Sequence, residues 1–310
     1  MALEIKHLFG LRGVSYGDIR AILDTAKQFR EVLERPVKKV PSLRGMTVVN
    51  LFFENSTRTR TSFELAEKRL SADVVNFASS NSSVQKGETL LDTLRNIEAM
   101  KIDIVVVRHS GTGVPQFLAA NSNSIVLNAG DGAHEHPTQA LLDMLTIEEK
   151  LGTLEGKNVT IVGDIRHSRV ARSNVWGMTA MGATVTLCGP STLLPREPEF
   201  PKGVRWEGNV CKAVENADAV IALRLQKERM DDALLPSMRE YRNFFGVTEK
   251  VLENAKPSTL IMHPGPINRG VELDSDVADG SRSVILDQVT NGVAVRMSAL
   301  FLLAGGRFHE

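Results

Sequence analysis

Cysteine is scarce in this sequence: only Cys188 and Cys211 occur among 310 residues, and they form no Cys-x-x-Cys pair. That excludes a disulfide framework or a zinc ribbon, makes a reducing compartment the default, and leaves both thiols to be read as buried small hydrophobes. Net charge is missing as well. The 37 basic residues cancel the 37 acidic ones, so no basic field exists to hold nucleic acid or an anionic membrane, and any anion must be bound by a local cluster. Long apolar runs are also lacking. Residues 299–304 form a run too short to cross a bilayer, and the start MALEIKHLFGLRG lacks the features of a signal peptide. A cytoplasmic chain with no membrane partner is the expectation.

Several catalytic patterns are absent or incomplete. Gly13-Val14-Ser15-Tyr16-Gly17 matches G-x-S-x-G, but no strand precedes it, and Asp18 three residues on marks Ser15 as a helix cap. Ser83-Val84-Gln85-Lys86 matches S-x-x-K, yet K-T-G is nowhere in the chain and Gly87 interrupts any helix that could aim the pair. The segment GDIRHSR follows an apolar run but lacks G-x-G-x-x-G, which argues against a nicotinamide cofactor. His134 and His136 would share one face of a strand, yet no further ligand pattern accompanies them, which argues against a metal. The sequence therefore predicts neither a metal nor an organic cofactor.

What is present is a globular composition, 42% hydrophobic and 24% charged, in a chain of 310 residues. One hydrophobic core stops growing at roughly 250–300 residues, so two domains and a cleft are expected. Ile19, Ile22, Leu23, Ala26, Phe29 and Leu33 repeat at helical spacing after Ser15. Short apolar runs at 46–53, 74–77, 102–107 and 124–128 predict strands. They alternate with a helix through Phe63, Ala66 and Leu70 and another from near Glu88, while the Ser-rich stretch ASSNSSVQKGE predicts an exposed loop. A long helix over 137–151, stopped by Gly152, can bridge two domains. Strands at 159–162, 184–188, 219–223 and 259–262 resume the alternation, and a last helix spans 289–303. Alternation of this kind predicts an α/β chain of two doubly wound parallel sheets joined by interdomain helices. The predicted domains are 1–137 with 289–310, and 138–288.

Ser56-Thr57-Arg58-Thr59-Arg60 falls where the first strand hands over to a helix, so backbone N–H groups, hydroxyls and guanidinium groups can converge there on an anion. Without a Walker pattern, the expected ligand is a small phosphate compound rather than a nucleoside triphosphate. An ordinary capped helix with solvated arginines is the alternative reading of that pentapeptide alone. Arg108 directly after the third strand, and His134 to Gln139 after the fourth, would bring more donors to the same strand ends.

STRTR followed by Ser62-Phe63-Glu64, then Lys86-Gly87-Glu88, Arg108-His109 and His136-Pro137-Thr138-Gln139, resembles the aspartate/ornithine carbamoyltransferase family over essentially the whole chain. Within it, Arg224-Leu225-Gln226-Lys227-Glu228-Arg229 and His263-Pro264-Gly265-Pro266 resemble the aspartate branch, because two guanidinium groups and an amide suit an extra carboxylate. Gly265 departs from the branch's usual leucine or alanine. The resemblance implies carbamoyl transfer from carbamoyl phosphate to L-aspartate, an early step of pyrimidine biosynthesis. By this resemblance Ser56, Thr57, Arg58 and Thr59 hold the phosphate, and Thr59, Arg108 and His136 donate to the carbamoyl oxygen. Gln139 and the Pro264 carbonyl, with Gly265 beside it, accept from the carbamoyl NH₂. Arg169 takes the aspartate α-carboxylate and Arg224 and Gln226 its side-chain carboxylate, with Glu228 orienting Arg224 and Glu54 pairing Arg229. Ser82 and Lys86 would enter a neighbouring subunit's site, contacting carbamoyl phosphate and, for Lys86, aspartate, in a homotrimer. Regulatory chains or a dihydroorotase partner stay open. So do another acceptor such as ornithine and a non-catalytic binder of phosphate compounds.

Overall fold

The computed structural model describes residues 3–78, 88–195, 200–225 and 237–305. The chain divides into two compact units, Met1–Leu145 with Thr290–Glu310, and Thr146–Val289. In the first unit, helix α1 (Tyr16–Glu34) starts where Ser15 caps it, the hydroxyl accepting from the Asp18 N–H at 3.1 Å. Its periodic residues Ile19, Ile22, Leu23, Ala26, Phe29 and Leu33 are all buried. Strands β1 (Thr47–Phe52), β2 (Asp73–Ala78), β3 (Ile104–His109) and β4 (Ile125–Asp131) pair in parallel in the order β2-β1-β3-β4. Helices α2 (Thr57–Arg69), α3 (Leu90–Glu98) and α4 (Val114–Ala120) connect them. Val49, Leu51, Val105, Val107 and Val126 stack into one core with Leu94 and Ile97 of α3 and Leu118 of α4. Covering helices of this kind are why the strands read as continuous apolar runs rather than alternating ones.

Helix α5 (Pro137–Leu151) leads out of this unit. The second unit contains β5 (Asn158–Val162), α6 (Arg169–Ala180), β6 (Thr184–Cys188), β7 (Arg205–Glu207), α7 (Val210–Val214) and β8 (Ala219–Ala222). It continues with α8 (Met238–Phe245), α9 (Glu249–Leu252), β9 (Leu260–Met262), α10 (Ser275–Ala278) and the start of α11 (Ile285–Leu303). Its parallel sheet runs β7-β6-β5-β8-β9. The boundary between units falls inside α5 and again inside α11. No helix among the described residues is long and apolar enough to cross a membrane.

The structure refines several expectations. Strand β3 runs to His109, so Arg108 is part of the strand rather than the residue after it. Its backbone pairs on to the neighbouring elements, with the Arg108 carbonyl accepting from the Phe53 N–H at 2.9 Å. Helix α11 starts at Ile285, and the three-residue edge strand β7 and the seven-residue α4 are too short to stand out by periodicity. Cys188 is buried, its thiol pushed up to about 12 by burial, but Cys211 is only half-buried.

One buried acid carries no evident ligand role. Glu67 of α2 is fully buried, and its Oε2 accepts from Asn50 Nδ2 of β1 at 2.8 Å. Burial pushes its carboxyl up to about 8, against the weaker opposing effect of the Asn50 hydrogen bond. Glu67 Oε1 and Asn50 Oδ1 are both buried acceptors without a hydrogen-bond partner among the described residues, and a proton on the carboxyl turns one acceptor into a donor. An unfolded glutamate releases that proton near its ordinary 4.5, whereas folded Glu67 keeps it to about 8. The folded state therefore binds the extra proton between those values, and stability falls as pH rises through that window. Glu67→Gln should leave the melting temperature at pH 5 nearly unchanged and raise it at pH 9 by roughly 5 °C. Thermal melts that shift in parallel for both proteins across pH 5–9 would contradict this assignment.

Candidate active site

The order of each sheet fixes where ligands can sit. In the first unit the chain leaves β1 for β2 on one side and later places β3 on the other side of β1. Connections diverge at that point, and the carboxyl ends of β1 and β3 are left open as a crevice. Beyond β1, Ser56 is the N-cap of α2 with φ −156° and ψ 90°, and its hydroxyl caps none of the helix N–H groups. Thr57, Arg58 and Thr59 form the first turn. It contains no acidic residue, unlike the first turn of α1. A helix start with a free hydroxyl, no carboxylate and N–H groups lacking intrahelical partners suits an anion.

Arg108, near the end of β3, is held from two sides. Its Nη1 donates to the Ala129 carbonyl of β4 at 3.0 Å, and its Nε lies 3.2 Å from Glu54 Oε2, just past β1. Glu54 thus has Arg108 as an ion-pair partner, while Arg229, its expected partner, lies outside the described residues. Neighbouring His109 accepts from the Gly111 N–H at 2.8 Å, and burial holds its ring below the usual imidazole range.

The turn after β4 is built on Asp131, which is fully buried. Its carboxylate accepts from Asn128 Nδ2 at 2.7 Å and from the Gly113 N–H at 2.8 Å, and it faces His134 Nδ1 at 3.1 Å. Burial alone would raise this acid, but His134, Gly113 and Asn128 outweigh it and hold the carboxyl below its ordinary value. Glu135 then reaches back to accept from the Leu11 and Arg12 N–H groups at 2.6 and 3.1 Å. This bracing places buried His136 directly before α5, with its carbonyl accepting from the Gln139 N–H at 3.0 Å. Gln139, one turn into α5, donates Nε2 to buried Asp143 at 2.9 Å. Of the two histidines weighed above against a metal, His134 faces Asp131, and no group of three metal-ligating side chains occurs among the described residues.

In the second unit the sheet order reverses between β5 and β8. After β5, Gly163 adopts φ +136°, and a Cβ there would lie 2.9 Å from Leu223 Cβ. Only glycine fits such a close approach. Asp164 accepts from the His167 N–H at 3.1 Å, and burial raises its carboxyl despite the His167 charge. Ser168 caps α6, so Arg169 stands buried in the first helical turn. Arg224 follows β8 and is half-buried. After β9, the Gly265 N–H donates to His263 Nδ1 at 2.8 Å, so the ring proton sits on Nε2, which faces Glu272 Oε1 at 3.2 Å. Gly265 has φ +67°, a left-handed conformation costly for any residue with a side chain. That conformation accounts for glycine at the position where the resemblance leads one to expect leucine or alanine.

Each unit therefore gathers its own set. Ser56, Thr57, Arg58, Thr59, Arg108, His136 and Gln139 belong to the first, and Arg169, Arg224, Pro264 and Gly265 to the second. Ser82, Lys86, Gln226, Glu228 and Arg229, with the Ser-x-x-Lys match, lie outside the described residues. Sequence reasoning missed Asp131, Asp143 and Arg296. A signal for the last existed: Arg296 is a lone charge in the apolar stretch of α11, and a charge there must have buried partners.

The family description "Aspartate/ornithine carbamoyltransferase, carbamoyl-P binding domain" matches residues 6–149, and "Asp/Orn binding domain" of the same family matches 155–303. The chain belongs to the aspartate/ornithine carbamoyltransferase family. Among relatives, the aspartate carbamoyltransferase catalytic subunit of Gemmatimonas aurantiaca is 62% identical over 302 residues, covering 97% of this chain and 94% of that protein. That of Desulfotalea psychrophila is 59% identical over 301 residues, with 97% and 94% covered. A crystal structure of aspartate transcarbamoylase from Trypanosoma cruzi with carbamoyl aspartate and phosphate superposes with a TM-score of 0.87 at 31% identity, covering 95% of each chain. Ornithine carbamoyltransferase from Pyrococcus furiosus also gives 0.87, at 30% identity with 99% and 100% covered. Backbone shape is thus common to both acceptor types, and the higher sequence identities are to the aspartate enzymes.

Asp131→Ala should leave the Gly113 N–H without its acceptor and remove the carboxylate that Asn128 and His134 face. Losses of about 1–3 kcal/mol per such buried group predict a melting temperature several degrees lower together with reduced turnover. An unchanged melt would show that Asp131 does not brace the turn.

Proposed function

We propose that this chain transfers the carbamoyl group of carbamoyl phosphate to the amino group of L-aspartate, giving N-carbamoyl-L-aspartate and phosphate. The observation that carries the reading is the pair of reversed strand orders. One has an acid-free helix start and a braced arginine at its strand ends, and the other has two arginines. The high identity to aspartate carbamoyltransferase catalytic subunits supports it.

On this reading the unit bearing β1 to β4 binds carbamoyl phosphate, corresponding to expected residues 1–137 with 289–310. The other, expected at 138–288, binds aspartate. Ser56, Thr57, Arg58 and Thr59 take the phosphate, and Arg58 also meets negative charge on the leaving oxygen. Thr59, Arg108 and His136 donate to the carbamoyl oxygen, which gains charge as the amine attacks. Gln139 and the Pro264 carbonyl, next to Gly265, accept from the carbamoyl NH₂ and fix its plane. Arg169 and Arg224, with Gln226, pair with the two carboxylates of aspartate; an ornithine ammonium would meet repulsion from the same arginines. The aspartate nitrogen lone pair forms the new C–N bond, the carbon–oxygen bond to phosphate breaks, and the departing phosphate takes the amine proton. Positioning and charge stabilisation supply the acceleration, and His136 acts as donor rather than nucleophile.

Ser82 and Lys86 are assigned to the site of an adjacent copy, in a cytoplasmic homotrimer working early in pyrimidine biosynthesis. Incubating the protein with carbamoyl phosphate plus aspartate or ornithine tests the acceptor: carbamoyl aspartate is expected, and product from ornithine alone would defeat the assignment. Arg58→Ala should lower kcat by about 10²-fold or more, the scale of losing one transition-state donor, without altering the oligomer in sedimentation; near-normal turnover would refute its role. Mixing inactive Lys86→Ala and Arg58→Ala chains should restore part of the activity if sites are shared, and none if each chain works alone.

A further inference from the structure

Gln139 is held by a partner that decides which way its amide faces. A carboxylate only accepts hydrogen bonds, so Asp143, at 2.9 Å from Gln139 Nε2, obliges Gln139 to spend its NH₂ on the protein. Its Oε1 is then the end directed to whatever ligand it meets. Were Asp143 able to donate, the amide could turn over and present NH₂ instead.

Asp143 has no exposed surface, and a buried carboxylate needs a compensating charge. Arg296 of α11 supplies it. Burial holds the guanidinium down to about 10 and the Asp143 charge opposes that fall, so Arg296 stays cationic at neutral pH. Its Nη1 donates to Ser62 Oγ of α2 at 3.0 Å, and its guanidinium carbon lies 5.0 Å from the Phe63 ring centre. Space for it is kept by Gly292, one turn earlier in α11, where a Cβ would sit 2.5 Å from Nη1. Arg296 therefore holds α2, whose first turn is Thr57 to Thr59, and lies in the field of Asp143 on α5, which carries Gln139.

We propose that Asp143, buried with Arg296 as its counter-charge, is a positioning residue that sets the Gln139 amide with its oxygen toward the donor and so selects a carbamoyl over an acetyl group. This rests on the Gln139 role proposed above. A carbamoyl NH₂ can donate to Gln139 Oε1, whereas the methyl group of acetyl phosphate, otherwise the same shape, cannot.

The test compares binding of carbamoyl phosphate, acetyl phosphate and inorganic phosphate to the wild-type protein and to Asp143→Asn. Asparagine keeps the size but can donate, so the Gln139 amide is free to turn. Carbamoyl phosphate should bind about tenfold more weakly to Asp143→Asn, a change of about 1.4 kcal/mol. Acetyl phosphate and phosphate should be unchanged within about twofold. If Asp143→Asn alone does not fold because Arg296 is left uncompensated, Asp143→Asn combined with Arg296→Met removes both charges and should show the same selective loss. An unaltered carbamoyl-to-acetyl ratio, or equal weakening of all three ligands, overturns the positioning role. A wild-type protein that binds phosphate but does not prefer carbamoyl phosphate over acetyl phosphate instead removes the Gln139 assignment on which the inference stands.

Discussion

Everything in the first unit depends on one constraint: a chain whose formal net charge is zero can hold a dianionic phosphate compound only by focusing a few positive groups on one point. Parallel strands provide that focus because their carboxyl ends lie on one edge of the sheet. The reversal of order between β1 and β3 opens that edge exactly where Ser56 to Thr59 and Arg108 emerge. A helix dipole adds roughly half a positive charge at the start of α2, and the absence of a carboxylate in that turn leaves it available.

Focusing charge is costly unless each group is held before the ligand arrives, and the structure meets that cost with internal partners. Arg108 is fixed by Glu54 and the Ala129 carbonyl, Asp131 by Asn128, Gly113 and His134, and Asp143 lies under the charge of Arg296. Such partners lower the reorganisation needed when charge develops on a reacting carbonyl. They also explain why buried charges cluster around these strand ends, where a carboxylate or guanidinium without a partner would be strongly destabilising. Glu67 is the exception. With no ion pair among the described residues, it resolves the conflict by holding its proton.

Much of this was legible from residues alone. Apolar runs located every strand but β7, with β4 running three residues past its expected end at 128, since buried parallel strands and capped helices leave strong local signals: the cap of α1 at Ser15 and the bounds of α5 and β6 agree with the sequence reading. Strand-end residues such as Arg58 and His136 could be picked out because they follow those runs. What could not be read was pairing across long sequence separations. Ser62 meets Arg296 234 residues away, and Glu135 caps backbone 124 residues earlier. Nor does local sequence reveal that His134 serves Asp131 rather than a ligand, because that depends on the fold of the β4 turn. The positive φ of Gly265 likewise became visible only in the folded backbone.

The central claim is that the carboxyl ends of β1 and β3 bind the phosphorylated donor. A crystal structure of the protein soaked with carbamoyl phosphate tests it most directly. The account predicts phosphate oxygens within hydrogen-bond distance of Ser56, Thr57, Arg58 and Thr59, with the carbamoyl oxygen beside Arg108 and His136. Donor bound at any other surface, with the start of α2 left to solvent, would contradict it.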